Sequence, residues 1–316
     1  MHPRPIILLI LALCAFSAPV GATPPDTTIS TYATGALEPN GIAFDASGNL
    51  YATGAGGGGV QGVWKAPPGG GALTLLFGNT SVVSPWGVVC DASGNVYFAE
   101  QNGSVVNGGR IRKVTPGGVG SVFKSGIQAP TGLAMDASGN LCVGEYNGHK
   151  VVKITPAGVM SDYATGIGGV SESLFQIDFD DSGNLYVGSE NRIFRIGPGG
   201  SPVTTAVSGL NEGVGFVRWV GDNFIVAQFG FRTLVYTSPT RGNPPAKLVN
   251  TALVDHCVDG KIPSGASAGR PTFMTLYHDV AYFGDAACSS VRRFYLPSQP
   301  VPVAKRSWGA VKAIYR

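Results

Sequence analysis

Charged side chains are scarce in this sequence of 316 residues. Asp, Glu, Lys and Arg make up 13% of it, and the formal net charge at neutral pH is only +3. No run of basic residues interleaved with aromatic residues occurs, although such a run is the usual footprint of a protein that binds nucleic acid. The composition therefore argues against a nucleic-acid partner. The hydrophobic share of 44% indicates a folded chain with a sizeable core rather than a disordered one.

Long apolar segments are almost absent as well. One run, from Ile6 to Phe16, is about eleven residues long, whereas about 20 residues are needed to cross a bilayer as a helix. Basic residues precede this run, and small residues follow it before Thr23, which is the pattern of an export signal. We therefore predict a signal peptide at residues 1–22, no membrane span, and a mature protein that is secreted or periplasmic.

Cysteine is the third scarce residue type. The sequence has five, and four of them lie beyond the predicted signal: Cys90, Cys142, Cys257 and Cys288. An oxidising compartment favours one or two disulfides among these four. Cys257 and Cys288 are expected on the same face of the fold predicted below, which favours a bridge between them. Cys90 and Cys142 are expected to be buried between the second and third repeats, either bridged or free.

Glycine, in contrast, is abundant, with 47 residues, and much of it belongs to a repeated sequence. FDASGNLYATG begins at Phe44, and three close copies begin at Cys90, Met135 and Phe179. The aspartates of these copies are 46, 45 and 44 residues apart, and two degenerate copies follow, WVGDNFIVAQ and LYHDVAYFGD. Each copy is typical of a strand, a tight turn and a second strand, because Asp, Gly and Asn favour turn conformations.

Repeats of about 45 residues with four short strands each are the signature of β-propeller blades. We predict an all-β fold, a six-bladed β-propeller of four-stranded blades, over residues 23–297. The segment TISTYATG at Thr28–Gly35 resembles SDYATG, the last strand of a blade, and is expected to complete the sixth blade and close the ring. Residues 238–271 or thereabouts form a predicted insertion between blades five and six, and residues 298–316 form a C-terminal tail.

The segments PNGIAFDASGNLY, GGRIRKVTPGG and HKVVKITPAG resemble NHL-repeat propellers and streptogramin (virginiamycin B) lyase-like propellers, and more distantly gluconolactonase and SMP-30 type enzymes. The resemblance implies the propeller fold over nearly the whole mature chain. It does not select one function, since these families include binding modules, lactone hydrolases, lyases and sensor domains. The lyase pattern implies a histidine where this sequence has Asn40. Because an amide cannot take a proton at neutral pH, that mechanism is not expected here.

One face of the propeller, here called the upper face, is predicted to carry the function. It holds the starts of the first strands, the ends of the second strands and the connections between blades. Oxygen-bearing side chains on this face predict a site for Ca²⁺ or Mg²⁺. The candidate ligands are Glu38, Asn40, Glu100, Glu212 and Asp285. The alternative is that such acids orient loops or pair with basic residues of the next strand, as Glu100 with Arg110. Glu145 has the same alternative with Lys150.

Catalytic and ligand-binding candidates belong to the same face. Glu145 ends a second strand, and His256 lies in the predicted insertion, where a histidine is able to serve as a general base. The ligand-binding candidates are Trp86, Phe175 and Arg270. The aromatic residues would provide contact area for a ligand, as aromatic anchors do in many interfaces.

Two classes of function are compatible with these features. The first is a secreted, monomeric recognition module that binds a small molecule, a glycan, a peptide or a partner protein at its upper face. The second is a divalent-metal-dependent hydrolase or lyase that acts on a lactone-like or cyclic substrate. We favour the first, because no acid and base pair stands at matching positions of the repeats.

Overall fold

The structure of the protein is a computed structural model. It describes residues 28–35, 37–102, 105–169, 172–210, 213–219, 223–228, 233–237, 246–247, 257, 260–261, 270–278 and 280–295. These residues form six sheets around a common axis, and their only helical segments are three single turns of 3₁₀ helix. The predicted all-β, six-bladed propeller is thereby confirmed. Within the described residues, no helix has both the length and the apolar composition that a membrane crossing needs.

The first half of the chain forms three blades. The chain begins with β1 (Thr28–Thr34), which belongs to blade six. Blade one then comprises β2 (Leu37–Phe44), β3 (Leu50–Gly56), β4 (Gln61–Ala66) and β6 (Thr74–Asn79), with the short β5 (Gly71–Ala72) before its last strand. Blade two comprises β7 (Pro85–Cys90), β8 (Val96–Glu100), β9 (Gly109–Val114) and β10 (Gly120–Ile127). Blade three comprises β11 (Pro130–Met135), β12 (Leu141–Glu145), β13 (Val151–Ile154) and β14 (Met160–Ala164).

The second half forms the other three blades. Blade four comprises β15 (Leu174–Phe179), β16 (Leu185–Ser189), β17 (Arg192–Ile196) and β18 (Val203–Ser208). Blade five comprises β19 (Gly213–Trp219), β20 (Asn223–Gln228), β21 (Thr233–Thr237) and β22 (Ala246–Lys247). Blade six comprises β24 (Pro271–Tyr277), β25 (Val280–Asp285), β26 (Ser290–Tyr295) and β1, and β23 (Gly260–Lys261) pairs with the outer edge of β1.

The repeated Asp-x-Ser-Gly-Asn turn is held together by its own aspartate. One carboxylate oxygen of Asp45 accepts the backbone N–H groups of Ser47 and Asn49, both at 2.9 Å. The other oxygen accepts the Asn49 amide at 2.8 Å and the Tyr51 hydroxyl at 3.0 Å. The backbone and asparagine contacts recur in the next three blades. The motif therefore shapes the turn, as its residue types indicate.

Strand β1 closes the ring. It pairs antiparallel with β26, from Ile29 opposite Phe294 to Thr34 opposite Ser290, which confirms that the N-terminal strand completes blade six. The other edge of β1 pairs with β23 at its first residues and with β5 at its last. Strand β1 therefore has neighbours on both sides, and the backbone groups of its outer edge are partly covered.

Two regions of the predicted insertion are ordered into the blades. Residues 246–247 are the fourth strand of blade five, and residues 260–261 extend blade six. Cys257 forms a disulfide with Cys288, with their Cα atoms 5.6 Å apart, and this confirms the predicted bridge. Cys288 ends the 3₁₀ turn that follows β25. The bridge thus joins the insertion to the upper end of blade six.

Cys90 and Cys142 are free, and they lie at different interfaces. Cys90 packs against the cluster between blades one and two, and Cys142 belongs to the cluster between blades three and four. The expectation that both lie between blades two and three is therefore wrong. Burial raises the pKa of both thiols, which keeps them protonated and poorly reactive.

Glycine lets the inner strands approach one another at the axis. A Cβ atom at Gly41, Gly87, Gly132 or Gly215 would lie within 2.5 Å of a carbonyl oxygen of a neighbouring inner strand. Blade four instead has Gln176, which is buried and joins three blades. Its amide nitrogen donates to the carbonyls of Phe216 and Met274 at 2.8 and 2.7 Å. Its amide oxygen accepts their N–H groups at 3.1 and 2.8 Å. This side chain lines a cavity of about 80 Å³ at the axis.

Candidate functional site

The upper face repeats one register from blade to blade. The first residue of an inner strand lies opposite the last residue of the second strand: Pro85 and Glu100, Pro130 and Glu145, Pro271 and Asp285. An acid at this position lies close to the connection by which the chain enters the same blade. Its partners decide whether the carboxylate is available to a ligand.

In blade two, the buried Glu100 is bound to two arginines. Arg110 donates through Nε at 2.5 Å and through Nη2 at 3.1 Å, and Arg112 donates through Nε at 2.5 Å. The N–H of Val83, in the entering connection, donates to the same carboxylate at 3.0 Å. Burial by itself raises the pKa of Glu100, but these donors outweigh it and hold the pKa below its ordinary value. The carboxylate is therefore ionised and fully occupied by protein donors.

In blade three, Glu145 occupies the same position without an arginine. It is 4% exposed, and the N–H of Gln128 donates to it at 3.3 Å. The Lys150 ammonium instead bonds Asp162 at 2.9 Å. Burial raises the pKa of Glu145, and the charge of Lys150 and the Gln128 N–H offset this only in part. Glu145 is thus a buried carboxyl group that binds a proton more readily than an exposed one.

In blade six, two ion pairs lie near the closure of the ring. The buried Asp285 accepts the backbone N–H of Arg270 at 2.8 Å and pairs with the equally buried Arg292 at 3.4 Å. The Arg270 side chain bonds Glu38 of blade one at 2.9 Å. Because Glu38 is 61% exposed, this second pair is screened by water and contributes little stability. Three sequence candidates, Arg270, Glu38 and Asp285, therefore do lie together.

Blade four reaches a similar arrangement with a different acid. The second strand ends in Ser189, and the acid is Glu172 from the entering connection, which sequence reasoning missed. Glu172 accepts the Ser189 hydroxyl at 2.9 Å and pairs with Arg192 at 2.8 Å. The absence of an acid at Ser189 was the available signal, because the basic residue opposite it still needed a partner.

The predicted metal ligands are distributed among these separate contacts. Glu100, Asp285 and Glu38 each bind arginine, and the Asn40 amide donates to the carbonyl of Pro85 at 2.9 Å. Glu212 and His256 lie outside the described residues. Among the residues that the structure does describe, no group of three or more His, Cys, Asp or Glu side chains is arranged to hold a metal ion. The metal site and its occupant remain predictions.

Aromatic side chains from four blades meet at the upper end of the axis. Phe175 and Phe273 are buried there, and the half-buried Trp86 and Tyr146 pack against them. The ring centroids of Trp86 and Phe273 are 6.0 Å apart, and those of Tyr146 and Phe175 are 5.3 Å apart in an edge-on arrangement. We call these four residues the axial aromatic cluster. The structure thus brings two sequence candidates, Trp86 and Phe175, to one place.

The positions of Phe273 and Trp86 in the axial aromatic cluster have different physical causes. Phe273 stands where four of the other blades have the axial glycine, and it lines the axial cavity beside Gln176. Sequence reasoning did not select it, although Phe in place of Gly within Pro-Thr-Phe was a visible signal. The Trp86 indole N–H donates to the Ser84 hydroxyl at 3.1 Å, which fixes the ring orientation. Aromatic rings with fixed orientation suit ligand recognition, because little side-chain entropy is lost on binding.

No protein-family model and no curated protein matches this sequence. Solved structures do match. An auxiliary nutrient binding protein from Bacteroides ovatus is 14% identical with a TM-score of 0.66, over 85% of this chain and 76% of that one. Virginiamycin B lyase from Staphylococcus aureus is 15% identical with a TM-score of 0.56, over 85% and 99%. A chain of the nidogen/laminin complex is 17% identical with a TM-score of 0.55, over 68% and 90%.

These likenesses establish the fold. At such low identity, structural similarity does not carry function from one propeller to another. The resemblance to streptogramin lyase-like propellers is confirmed at the level of architecture. The resemblance to NHL-repeat and gluconolactonase-type proteins stays a prediction.

Proposed function

We propose that the protein is a secreted recognition module that binds its ligand at the upper face, around the axial aromatic cluster. The observation that carries this proposal is the convergence of Trp86, Tyr146, Phe175 and Phe273 from four blades onto one spot. Trp and Tyr are the residue types that most often dominate binding energy when they lie near the centre of an interface. A disulfide between Cys257 and Cys288 is compatible with export to an oxidising compartment.

The occupied state of the carboxylates supports recognition over metal-dependent chemistry. Glu100 and Asp285 each bind arginine and a backbone N–H of the entering connection, so their oxygens already serve the fold. A divalent cation would have to displace these donors and leave buried arginine charge uncompensated. The named activities of the matching propellers include nutrient binding, which is consistent with a recognition role.

One observation favours a hydrolase or lyase as the second candidate. Glu145 is buried beside the axial aromatic cluster, since Tyr146 follows it directly, and its pKa is raised by burial. A carboxyl group with a raised pKa near a ligand site has the properties of a general acid. In this version of the function, Glu145 would protonate a leaving group of a cyclic or lactone-like substrate, with Ca²⁺ or Mg²⁺ as the cofactor.

Replacing Trp86 tests the recognition proposal. Arrays of oligosaccharides and displayed peptides would be probed with the wild type, with Trp86→Ala and with Tyr295→Ala, a control that removes an aromatic residue 55% exposed on β26. We expect Trp86→Ala to weaken the ligands found for the wild type at least about tenfold, and Tyr295→Ala to leave them unchanged. Stoichiometric binding of Ca²⁺ or Mg²⁺ by calorimetry, lost in Asp285→Asn, would instead favour the enzyme.

A further inference from the structure

The upper end of blade two exposes apolar side chains beside the axial aromatic cluster. Val83 lies in the connection that enters the blade, and Val105 and Val106 lie in the loop between β8 and β9. Their exposed fractions are 41%, 52% and 82%. Together with the half-buried Trp86, these residues form what we call the blade-two patch. Exposed apolar residues that are grouped in this way mark interaction surfaces more often than isolated ones do.

Hydrogen bonds join the two segments that carry the blade-two patch. The N–H of Gln101, at the start of the loop, donates to the carbonyl of Ser84 at 3.0 Å. The Ser84 hydroxyl accepts the Trp86 indole N–H. At the far end of the loop, the N–H of Asn107 donates to the Gln128 side chain at 2.8 Å, which ties the loop to blade three. The start of the loop is therefore held beside the segment that carries Trp86, its far end is held at blade three, and Val105 and Val106 lie between these two ends.

The charge next to the blade-two patch is positive. Glu100 supplies one negative charge and is 1% exposed, whereas Arg110 and Arg112 supply two positive charges and are 33% and 14% exposed. One carboxylate therefore faces two guanidinium groups, and the surplus charge is on the more accessible side chains. An acidic group on a ligand would find favourable electrostatic complementarity here.

The chemistry of the blade-two patch fits a polypeptide better than a sugar. Glycans need polar groups that converge on their hydroxyls, but the Ser84 hydroxyl, its carbonyl and the Val83 N–H are bonded within the protein. The most exposed members are branched aliphatic side chains, which pack against other aliphatic or aromatic side chains. Trp, Tyr and Arg are the residue types enriched at protein–protein hot spots. Trp86 lies in the patch, Arg110 lies beside it, and Tyr146 belongs to the axial aromatic cluster.

We infer that the blade-two patch binds a partner polypeptide through an apolar segment of that partner with an acidic residue beside it. This inference rests on the proposed function and specifies its ligand class. The apolar segment covers Val83, Val106 and Trp86, and the acidic residue approaches Arg110. The axial aromatic cluster provides the buried edge of the same interface.

A displayed library of random peptides tests the inference. The library is selected against the wild-type protein, and the enriched peptides are measured against Val106→Asp and Val159→Asp. Val159 is a matched control, because it is 64% exposed and lies in the turn between β13 and β14, away from the upper face. We expect enriched sequences with two or more apolar residues next to Asp or Glu. Their affinity should fall at least tenfold for Val106→Asp and stay within twofold for Val159→Asp.

The other outcomes overturn the inference in distinguishable ways. Peptides that lose affinity for Trp86→Ala but not for Val106→Asp would keep the proposed function at the axial aromatic cluster, and they would reject the exposed valines as the binding surface. Neutral oligosaccharides that bind through Trp86, with no enriched peptide, would likewise leave recognition standing and remove the polypeptide. Self-association that Val106→Asp abolishes would make a second copy the occupant. If neither peptides nor oligosaccharides bind the wild type, both proposals are rejected.

Discussion

Blades two and three have the same acid at the same register, and the two acids behave in opposite ways. Glu100 and Glu145 both end a second strand, both are buried, and both accept a backbone N–H from the entering connection. Glu100 faces Arg110 across the sheet, and Arg112 lies two pairs further along, opposite Phe98. In blade three, the facing residue is Lys150, whose ammonium bonds Asp162, and the counterpart of Arg112 is Val152.

Burial alone therefore does not decide the direction in which the pKa of an acid shifts in this fold. With two arginines, Glu100 has a pKa below its ordinary value and serves as an ionised anchor for the connection. Without them, Glu145 has a raised pKa and anchors its connection through a single, longer hydrogen bond. Blades two and three therefore share the anchoring position, while the pKa of the acid there shifts in opposite directions.

The largest effect is expected from Glu100→Gln. The change removes the charge that compensates Arg110 and Arg112 while keeping the side-chain shape. Breaking a buried ion pair by neutralising one partner destabilises proteins by several kcal/mol, and we expect about 3 kcal/mol here. Urea denaturation at neutral pH measures it. Asp162→Asn is the control, because it removes an exposed partner of Lys150 and should change the unfolding free energy by less than about 1 kcal/mol. Equal effects of the two changes would contradict the anchor role.

A smaller effect of opposite sign is expected from Glu145→Gln. The amide oxygen of the introduced glutamine accepts the same N–H from Gln128, and the substitution removes a carboxylate that burial disfavours. We expect the unfolding free energy at pH 7 to rise by up to about 1 kcal/mol. Differential scanning calorimetry of this variant beside Glu100→Gln gives the comparison directly. A loss as large as that of Glu100→Gln would mean that Glu145 is an ionised anchor too.

The smallest expected effect is the change with pH of the differences in unfolding free energy between each variant and the wild type. The raised pKa of Glu145 means that its contribution to stability is full below the ordinary value of 4.5 and is lost as pH rises through its folded-state pKa. The higher unfolding free energy of Glu145→Gln relative to the wild type should therefore vanish as pH falls toward 4.5. The contribution of Glu100 is instead present above 4.5 and is lost below it. The lower unfolding free energy of Glu100→Gln relative to the wild type should thus persist to pH 4.5, and the difference should shrink only under more acidic conditions. Denaturant midpoints across this range would show whether the two signs differ.

Sequence reasoning reached the fold because its signals are local. The Asp45 turn is built from residues within six positions of one another, so its contacts are implied by the motif itself. The closing strand was recognisable because the sequence of Thr28–Thr34 resembles that of the outermost strand of a blade. The bridge between Cys257 and Cys288 was favoured because the insertion and the loop that carry them were predicted on the same face of the propeller. The interface positions of Cys90 and Cys142 did not follow, because strand alternation decides which neighbouring blade each residue meets.

The candidate site was only partly predictable for the same reason. Trp86 and Phe175 could be selected as aromatic residues at the starts of inner strands. Phe273 joined them only because ring closure places blade six next to blade one, within reach of Trp86 of blade two, and no local pattern reports this. The pairing of Glu100 with Arg110 could be offered as an alternative, but the turn of Lys150 away from Glu145 depends on Asp162 of the neighbouring strand.

The number of blades, the chemistry of the turns and the closing strand could be predicted from the sequence, since they depend on repeats and on hydrogen bonds between residues close together in the chain. The tertiary structure was needed to show which side chains share the axis and which of the two acids has a lowered and which a raised pKa. Both depend on contacts between residues far apart in the sequence, such as Gln176 with Met274 or Glu38 with Arg270. The free energy of a buried charge is set by its nearest partners in space, so one repeated acid serves as an ionised anchor in blade two and binds its proton more tightly in blade three.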